Sequence, residues 1–206
     1  MMPPLNLTRR SACLGAFASL SGCNALSALN TAALPMDTFD LRPAPGSQKG
    51  PRNAAKLLVA RPEASAALAT DRIMVRSEGA QITYLPEARW VDEAPIVLQG
   101  LLVRSIAASG RIGYVGPSEG GPVPDRALLA RMDAFEVTIE PGGGVLVMVD
   151  LSLTVLNDQD QQVLGIRSFV QAAVARNDSP SAIAAAFQGA LDELLPEAAD
   201  WVLRVL

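Results

Sequence analysis

Val145-Leu146-Val147-Met148-Val149-Asp150-Leu151-Ser152-Leu153-Thr154-Val155 carries an apolar residue at every odd position. Side chains of a strand alternate between faces, so one face of this strand is apolar throughout and must be buried against something. The other face is more polar, with Asp150, Ser152 and Thr154. Upstream, Leu128 to Glu140 ends in the alternating set Phe135, Val137 and Ile139, and Pro141-Gly142-Gly143-Gly144 supplies the turn. Downstream, Asn157-Asp158-Gln159-Asp160 turns the chain back through Val163 to Val174, with Leu164, Ile166 and Val170 on one side. Three strands joined by short turns make a meander.

After the meander, Ser179-Pro180 pairs a good cap with a good first helical residue. Ile183, Phe187, Leu191 and Leu194 form an apolar stripe. Pro196 is expected to break or kink that helix near Leu195, leaving Trp201 and Leu203 on a second short piece. Before the meander, Met36 to Leu41 and Leu57-Leu58-Val59 read as short strands around a Pro- and Gly-rich loop, Leu41 to Arg52. Arg72 to Arg76 and Gln81 to Leu85 flank Ser77-Glu78-Gly79-Ala80, a hairpin turn. Asp92-Glu93-Ala94-Pro95 opens a helix whose apolar positions are Val97, Leu98, Leu101, Leu102 and Ile106, with Gly110 as its stop. Ile112 to Val115 is a further strand, and Gly116 to Pro124 reads as a mobile loop. This order predicts an α+β fold: a largely antiparallel sheet with a C-terminal three-strand meander and two main helices packed on one face.

The first residues have a different character. Arg9 and Arg10 precede an apolar run from Ala12 to Leu20, which ends in Leu20-Ser21-Gly22-Cys23. The run is about half the ~20 residues needed to span a bilayer, so it reads as a cleaved signal. The small-small-Cys ending resembles a bacterial lipobox, in which Cys23 is acylated and becomes the first mature residue. The expected organisation is therefore a signal peptide over 1–22, a lipidated cysteine and tether over 23–35, and a single domain over 36–206. Acyl chains contribute roughly 0.8 kcal/mol per buried methylene, which makes Cys23 the expected membrane attachment. By the same resemblance Asn24, in place of the Asp that retains lipoproteins at the inner membrane, points to the outer membrane, facing the periplasm.

Composition excludes several functions. Loss of the signal removes Arg9 and Arg10 and no acid, so the formal charge moves from −4 to −6. An acidic domain argues against nucleic acid, whose binding rests on neutralised phosphates. The chain has no histidine, and of its two cysteines Cys13 leaves with the signal while Cys23 carries lipid. Ser-His-Asp and Cys-His catalysis and His- or Cys-ligated zinc are thereby excluded, as is an internal disulfide. Asp92/Glu93 and Asp192/Glu193 are adjacent on helices and diverge, so neither pair converges for acid–base work. Gly142-Gly143-Gly144 lies between strands and lacks the Lys-Ser/Thr of a nucleotide loop. No enzyme, no cofactor and no metal are expected.

Several short motifs occur in a telling order: Asp71-Arg72-Ile73, Ile82-Thr83-Tyr84, Ala88-Arg89-Trp90, Leu101-Leu102-Val103 and Ser109-Gly110-Arg111, with Phe135-Glu136 and Trp201-Val202 beyond. From Met36 to Val205 the chain resembles the ABC-type transport auxiliary lipoprotein family, which includes PqiC-like lipoproteins. It departs at Phe39-Asp40-Leu41, where relatives tend to carry a tyrosine before the leucine. The resemblance implies an accessory that docks to an MCE-domain periplasmic protein and, through it, to an ABC permease and ATPase that move lipids or other hydrophobic molecules across the envelope. Self-association remains open at this point, and so do an envelope assembly role without a transport partner and a lipid-carrying role. Arg89 and Trp90 are candidate partner contacts, since Arg and Trp are enriched at binding hot spots; the alternative for Trp90 is packing beneath the following helix. The loop Gly116 to Pro124 is either a docking or membrane-facing element or a simple connector.

Overall fold

The computed structural model describes residues 36–77 and 81–206. The signal, Cys23, the tether and the turn residues 78–80 lie outside the described residues. Met36–Leu206 forms one compact unit. Its elements run β1 (Asp37–Phe39), β2 (Asn53–Val59), β3 (Glu63–Ala64), β4 (Arg72–Arg76), β5 (Ile82–Trp90), α1 (Ala94–Ala107), β6 (Ile112–Pro117), β7 (Arg126–Ile139), β8 (Val145–Asn157), β9 (Val163–Val174) and α2 (Pro180–Val205). The predicted α+β architecture is the one observed.

Strand β7 is the spine of the sheet. Along one side it pairs antiparallel with β8 over nearly its whole length, and β8 pairs antiparallel with β9. Along the other side it meets three strands in succession, all parallel: β2 at residues 126–128, β3 at 131–132 and β4 at 136–138. Beyond β4 lie β5, antiparallel, and then β1, parallel. Beyond β2 lies β6, parallel. The three antiparallel ladders hold most of the paired residues, as the meander dictates; the five parallel ladders are short.

One extra residue in β7 reconciles its two halves. Leu128, Ala130 and Met132 are buried at even positions, then Phe135 and Val137 at odd ones. The β7–β8 register shifts between Met132 and Ala134, so Asp133 is a bulge that moves the apolar set from even to odd numbering while keeping it on one face. Opposite it, Val145, Val147, Val149, Leu151, Leu153 and Val155 are all buried, as their spacing required.

Both helices cover that face and belong to its core cluster. Helix α1 contributes Val97, Leu98, Leu101, Leu102 and Ile106; Gly110, past its end, takes the left-handed φ of 66° that glycine tolerates. Helix α2 is capped by Ser179, whose hydroxyl accepts from the Ala182 amide at 3.3 Å. Contrary to expectation, Pro196 does not divide it: α2 is continuous from Pro180 to Val205. Leu191, Leu194 and Leu195 before the proline, and Ala198, Ala199 and Val202 after it, all bury on the same side. Keeping that stripe in line outweighs the lost hydrogen bond and ring clash, about 3 kcal/mol in an exposed helix.

Where α1 packs over β2 and β6, Gly113 is needed for close approach, since a Cβ there would lie 2.6 Å from the Ala54 carbonyl oxygen. The Leu41–Arg52 loop is strapped to the helices. Ala44 N–H donates to Ser105 Oγ (3.2 Å), Arg42 exchanges backbone bonds with the Gln188 side chain (2.8 and 3.1 Å), and Ser47 N–H donates to Asp200 Oδ1 (2.8 Å). No described helix is long and apolar enough to cross a membrane.

Candidate interaction site

The candidate contacts Arg89 and Trp90 separate. They sit at the C-terminal end of β5, where alternation sends consecutive side chains to opposite faces. Trp90 is 1% exposed, in edge-on contact with Phe187 (5.0 Å between ring centroids) and tilted against Phe135 (5.5 Å), while Phe135 and Phe187 meet at 4.8 Å. Three rings from β5, β7 and α2 thus form the centre of the core, and Trp90 holds the helix layer to the sheet. Its packing beneath the helices, not a partner contact, is what the burial shows. Arg89 points the other way, donating to Thr38 Oγ1 at 3.2 Å and facing Asp71 at 3.7 Å with its side chain half exposed. Of the pair, only Arg89 stands at the surface.

The other motif residues are mostly structural. Ser109 Oγ donates to the Ile106 carbonyl (2.6 Å) and accepts from the Arg111 amide (3.2 Å), closing the end of α1. Arg111 is buried, donates to the Pro51 and Ser47 carbonyls and faces Asp200 at 3.6 Å, so it clamps the 47–51 strap to α2. Glu136, buried on the opposite face of the sheet, takes a bidentate pair from Arg76 at 2.6 and 2.8 Å, and that hydrogen-bonded partner raises the Arg76 pKa.

The Gly116–Pro124 segment is held, not loose. Strand β6 runs on to Pro117, and the Ser118 amide donates to the Val59 carbonyl at 3.0 Å. The Tyr114 ring lies against Gly116 and Gly121. Buried Gln99 donates through one amide nitrogen to both the Val59 carbonyl (2.9 Å) and Glu119 Oε2 (3.0 Å). A bond to its own backbone amide, and then Gln99, keep the Glu119 carboxyl below its ordinary pKa. Val123, 81% exposed, projects from this fixed frame.

The sheet face away from the helices has its own pattern. Over β7 and β8 it mixes polar side chains with Leu129, Leu146 and Met148: Arg131 donates twice to Asp133 (2.8 and 3.0 Å), and Ser152 and Thr154 line a shallow groove with Arg61, Glu63 and Leu129. The Arg131 bonds hold the Asp133 carboxyl below its usual range, whereas burial, and then the nearby Asp133 charge, push the Asp150 carboxyl up. Over β9 the same face becomes apolar. Leu164, Ile166 and Val170 do share a side, and it is the solvent side, joined by Val174. The helix-facing side of β9 instead carries Gly165, Arg167 (paired with Glu197), Phe169 against Trp201, Gln171 and Ala173. Among the described residues no three potential metal ligands converge.

A comparison with curated protein sequences gives no match. Among solved structures, the chain is similar to protein XCC0632 from Xanthomonas campestris, with 26% identity, a TM-score of 0.74, and 82% of this chain and 95% of that one covered. An uncharacterized protein shares the fold at 13% identity and a TM-score of 0.61, over 83% of this chain and 98% of that one. A family model described as the ABC-type transport auxiliary lipoprotein component matches residues 39–199, nearly the whole folded domain. Its span contains the aromatic centre, Arg111 with the strap it holds, and the complete meander, and this chain belongs to that family of transport auxiliary lipoproteins.

Proposed function

We propose that this chain is a lipid-anchored accessory of an ABC/MCE-type transport system that moves lipids or other hydrophobic molecules across the bacterial envelope, acting by binding and docking. One observation carries the reading: a lipobox ending at Cys23 stands ahead of a domain whose family is an auxiliary lipoprotein of ABC-type transport. Cys23 would hold the domain at a leaflet, and Asn24 favours the outer membrane by the sorting resemblance. The partner is then an MCE-domain periplasmic protein, with energy and permeation supplied by an associated ATPase and permease.

The reading includes no catalytic step, since a chain without histidine lacks the commonest general base. The packed aromatic centre agrees with a positioning role, because Trp90, Phe135 and Phe187 fill the space between sheet and helices where cargo would otherwise sit. Surface candidates for docking are Arg89 and the braced segment that presents Val123.

Affinity capture of the full-length protein from solubilised envelopes, with identification of what it retains, tests this directly. The MCE-domain protein should be recovered together with permease and ATPase. Recovery of envelope structural proteins alone would replace the transport role with an assembly role. Cys23→Ala should yield an unacylated precursor; a normally acylated product from that variant would remove the anchor from the proposal.

A further inference from the structure

Edge strands are a liability, and soluble proteins blunt them with short length, prolines, charges or bulges. Among the described residues the sheet has four edges, and three are blunted: β3, which pairs only with β7, has just two residues. Strand β1 has three residues, and β6 has six, ends at Pro117 and carries Gly113 and Gly116. Strand β9 has twelve residues, contains no proline, and holds one charge, Arg167, which faces the helices and is paired with Glu197. Among the described residues β9 pairs with β8 alone.

The hydrogen-bond phase shows what this edge offers. The Ala175 amide donates to the Val145 carbonyl at 2.8 Å, so 145 and 175 form a hydrogen-bonded pair. Counting along the unbroken register, the odd residues of β9 direct their backbone groups to β8. The N–H and C=O groups of 166, 168, 170, 172 and 174 therefore face outward. Those same residues own the apolar solvent face: Ile166 is 65% exposed, Val170 55% and Val174 73%. Apolar exposure is concentrated on the edge strand: of the exposed large hydrophobics, Val163, Leu164, Ile166, Val170 and Val174 lie on β9, whereas β7 adds Leu129 and β8 none. Edge pairing would set these side chains against their counterparts across the new ladder.

The outward series Ile166, Ser168, Val170, Ala172, Val174 is large, small, large, small, large, and reads the same in both directions. We infer that β9 pairs antiparallel with β9 of a second copy of this chain, about a twofold axis at Val170, joining two sheets into one. In that register Val170 lies opposite Val170 of the partner subunit, Ile166 opposite Val174 of the partner subunit, and Ser168 opposite Ala172 of the partner subunit. Three cross-strand contacts between β-branched residues result, the pairs that stabilise antiparallel sheets. Arg167 falls opposite Ala173 of the partner subunit, so no like charges meet. A twofold interface must be self-complementary, and this palindrome is. The blunted edges β1, β3 and β6 provide no strand of matching length for a head-to-tail alternative.

A cysteine on the axis tests the geometry, because self-paired residues have Cα atoms about 5.5 Å apart, within disulfide range. The full-length chain in isolated membranes would be oxidised and run without reductant. Val170→Cys should convert most of the chain to a reducible dimer, while Ser168→Cys, four pairs from its own copy, should stay at the level given by the native cysteines. Equal cross-linking of the two variants, or none in Val170→Cys, overturns the register. Independently, sedimentation of the detergent-solubilised full-length chain should give a dimer, and Val170→Lys, a solvent-facing change that leaves circular dichroism unaltered, should halve the protein mass. A monomeric wild type, or a Val170→Lys variant that remains dimeric, overturns the pairing. The pairing stands or falls without regard to the transport partner.

Discussion

Truncation of Phe187 to alanine should be among the most destabilising single changes in this domain. The side chain is fully buried and touches Trp90 at 5.0 Å and Phe135 at 4.8 Å, so one deletion opens a void shared by α2, β5 and β7. Core Phe→Ala changes cost about 3–5 kcal/mol. Aromatic pairs add about 0.5–1.5 kcal/mol each beyond area burial, and two are lost here, which places the expected cost near the top of that range, ~4–5 kcal/mol. With a urea slope of ~2 kcal/mol per M, the unfolding midpoint should fall by about 2 M. The assay is equilibrium urea unfolding followed by tryptophan emission in a Trp201→Phe background, so that Trp90 reports alone. The emission of the folded variant should also shift to the red as Trp90 loses its cover. A midpoint change under about 0.5 M would refute the placement of the three rings at the core's centre.

Pro196→Ala should raise the melting temperature, because α2 is continuous and the proline's missing N–H is the defect; an unchanged or lower melting point would mean that the surroundings are built around the ring. Asp150→Asn should stabilise the protein at pH 7 and have no effect near pH 2, judged by thermal unfolding at both. The sign follows from burial: the folded-state pKa is raised above the unfolded one, so the cost of the charge is present above the folded pKa and disappears as pH falls below the unfolded pKa. Equal effects at both pH values would exclude a titration origin. Arg111→Ala should release the strap over residues 47–51 and speed tryptic cleavage at Lys49 and Arg52 severalfold, read by mass spectrometry of timed digests; an unchanged rate would show that Asp200 and Gln188 hold the strap unaided.

Strand β8 was readable because every odd side chain is apolar, and a period of two has only one structural meaning. Its neighbours were less transparent. Both sides of β9 carry apolar residues, so alternation could group Leu164, Ile166 and Val170 but could not say that Phe169 was the one meeting the helices. The bulge at Asp133 is a single inserted residue with no compositional mark. Pro196 obeys local propensity only until a stripe on both sides of it packs against one sheet, which is a tertiary outcome. The parallel ladders of β2, β3 and β4 with β7 join residues about seventy positions apart and leave no local signature. As for the surface, Arg89 and Trp90 are adjacent in sequence and equally suited to binding by type. Only the pleat of β5 shows that one faces outward and the other fills the core.

The position of α2 in the order of elements has a consequence for how the polypeptide matures. Twelve of the 42 buried residues in the described core cluster, two of its large aromatics among them, come from residues 180–205, the last helix of the domain. A chain delivered from its first residue onward therefore has an uncovered sheet and no closed interior until that segment arrives. In the exported lipoprotein proposed above, such slack would let the chain thread a secretion pore, and a domain whose keystone is laid last would lock on the far side.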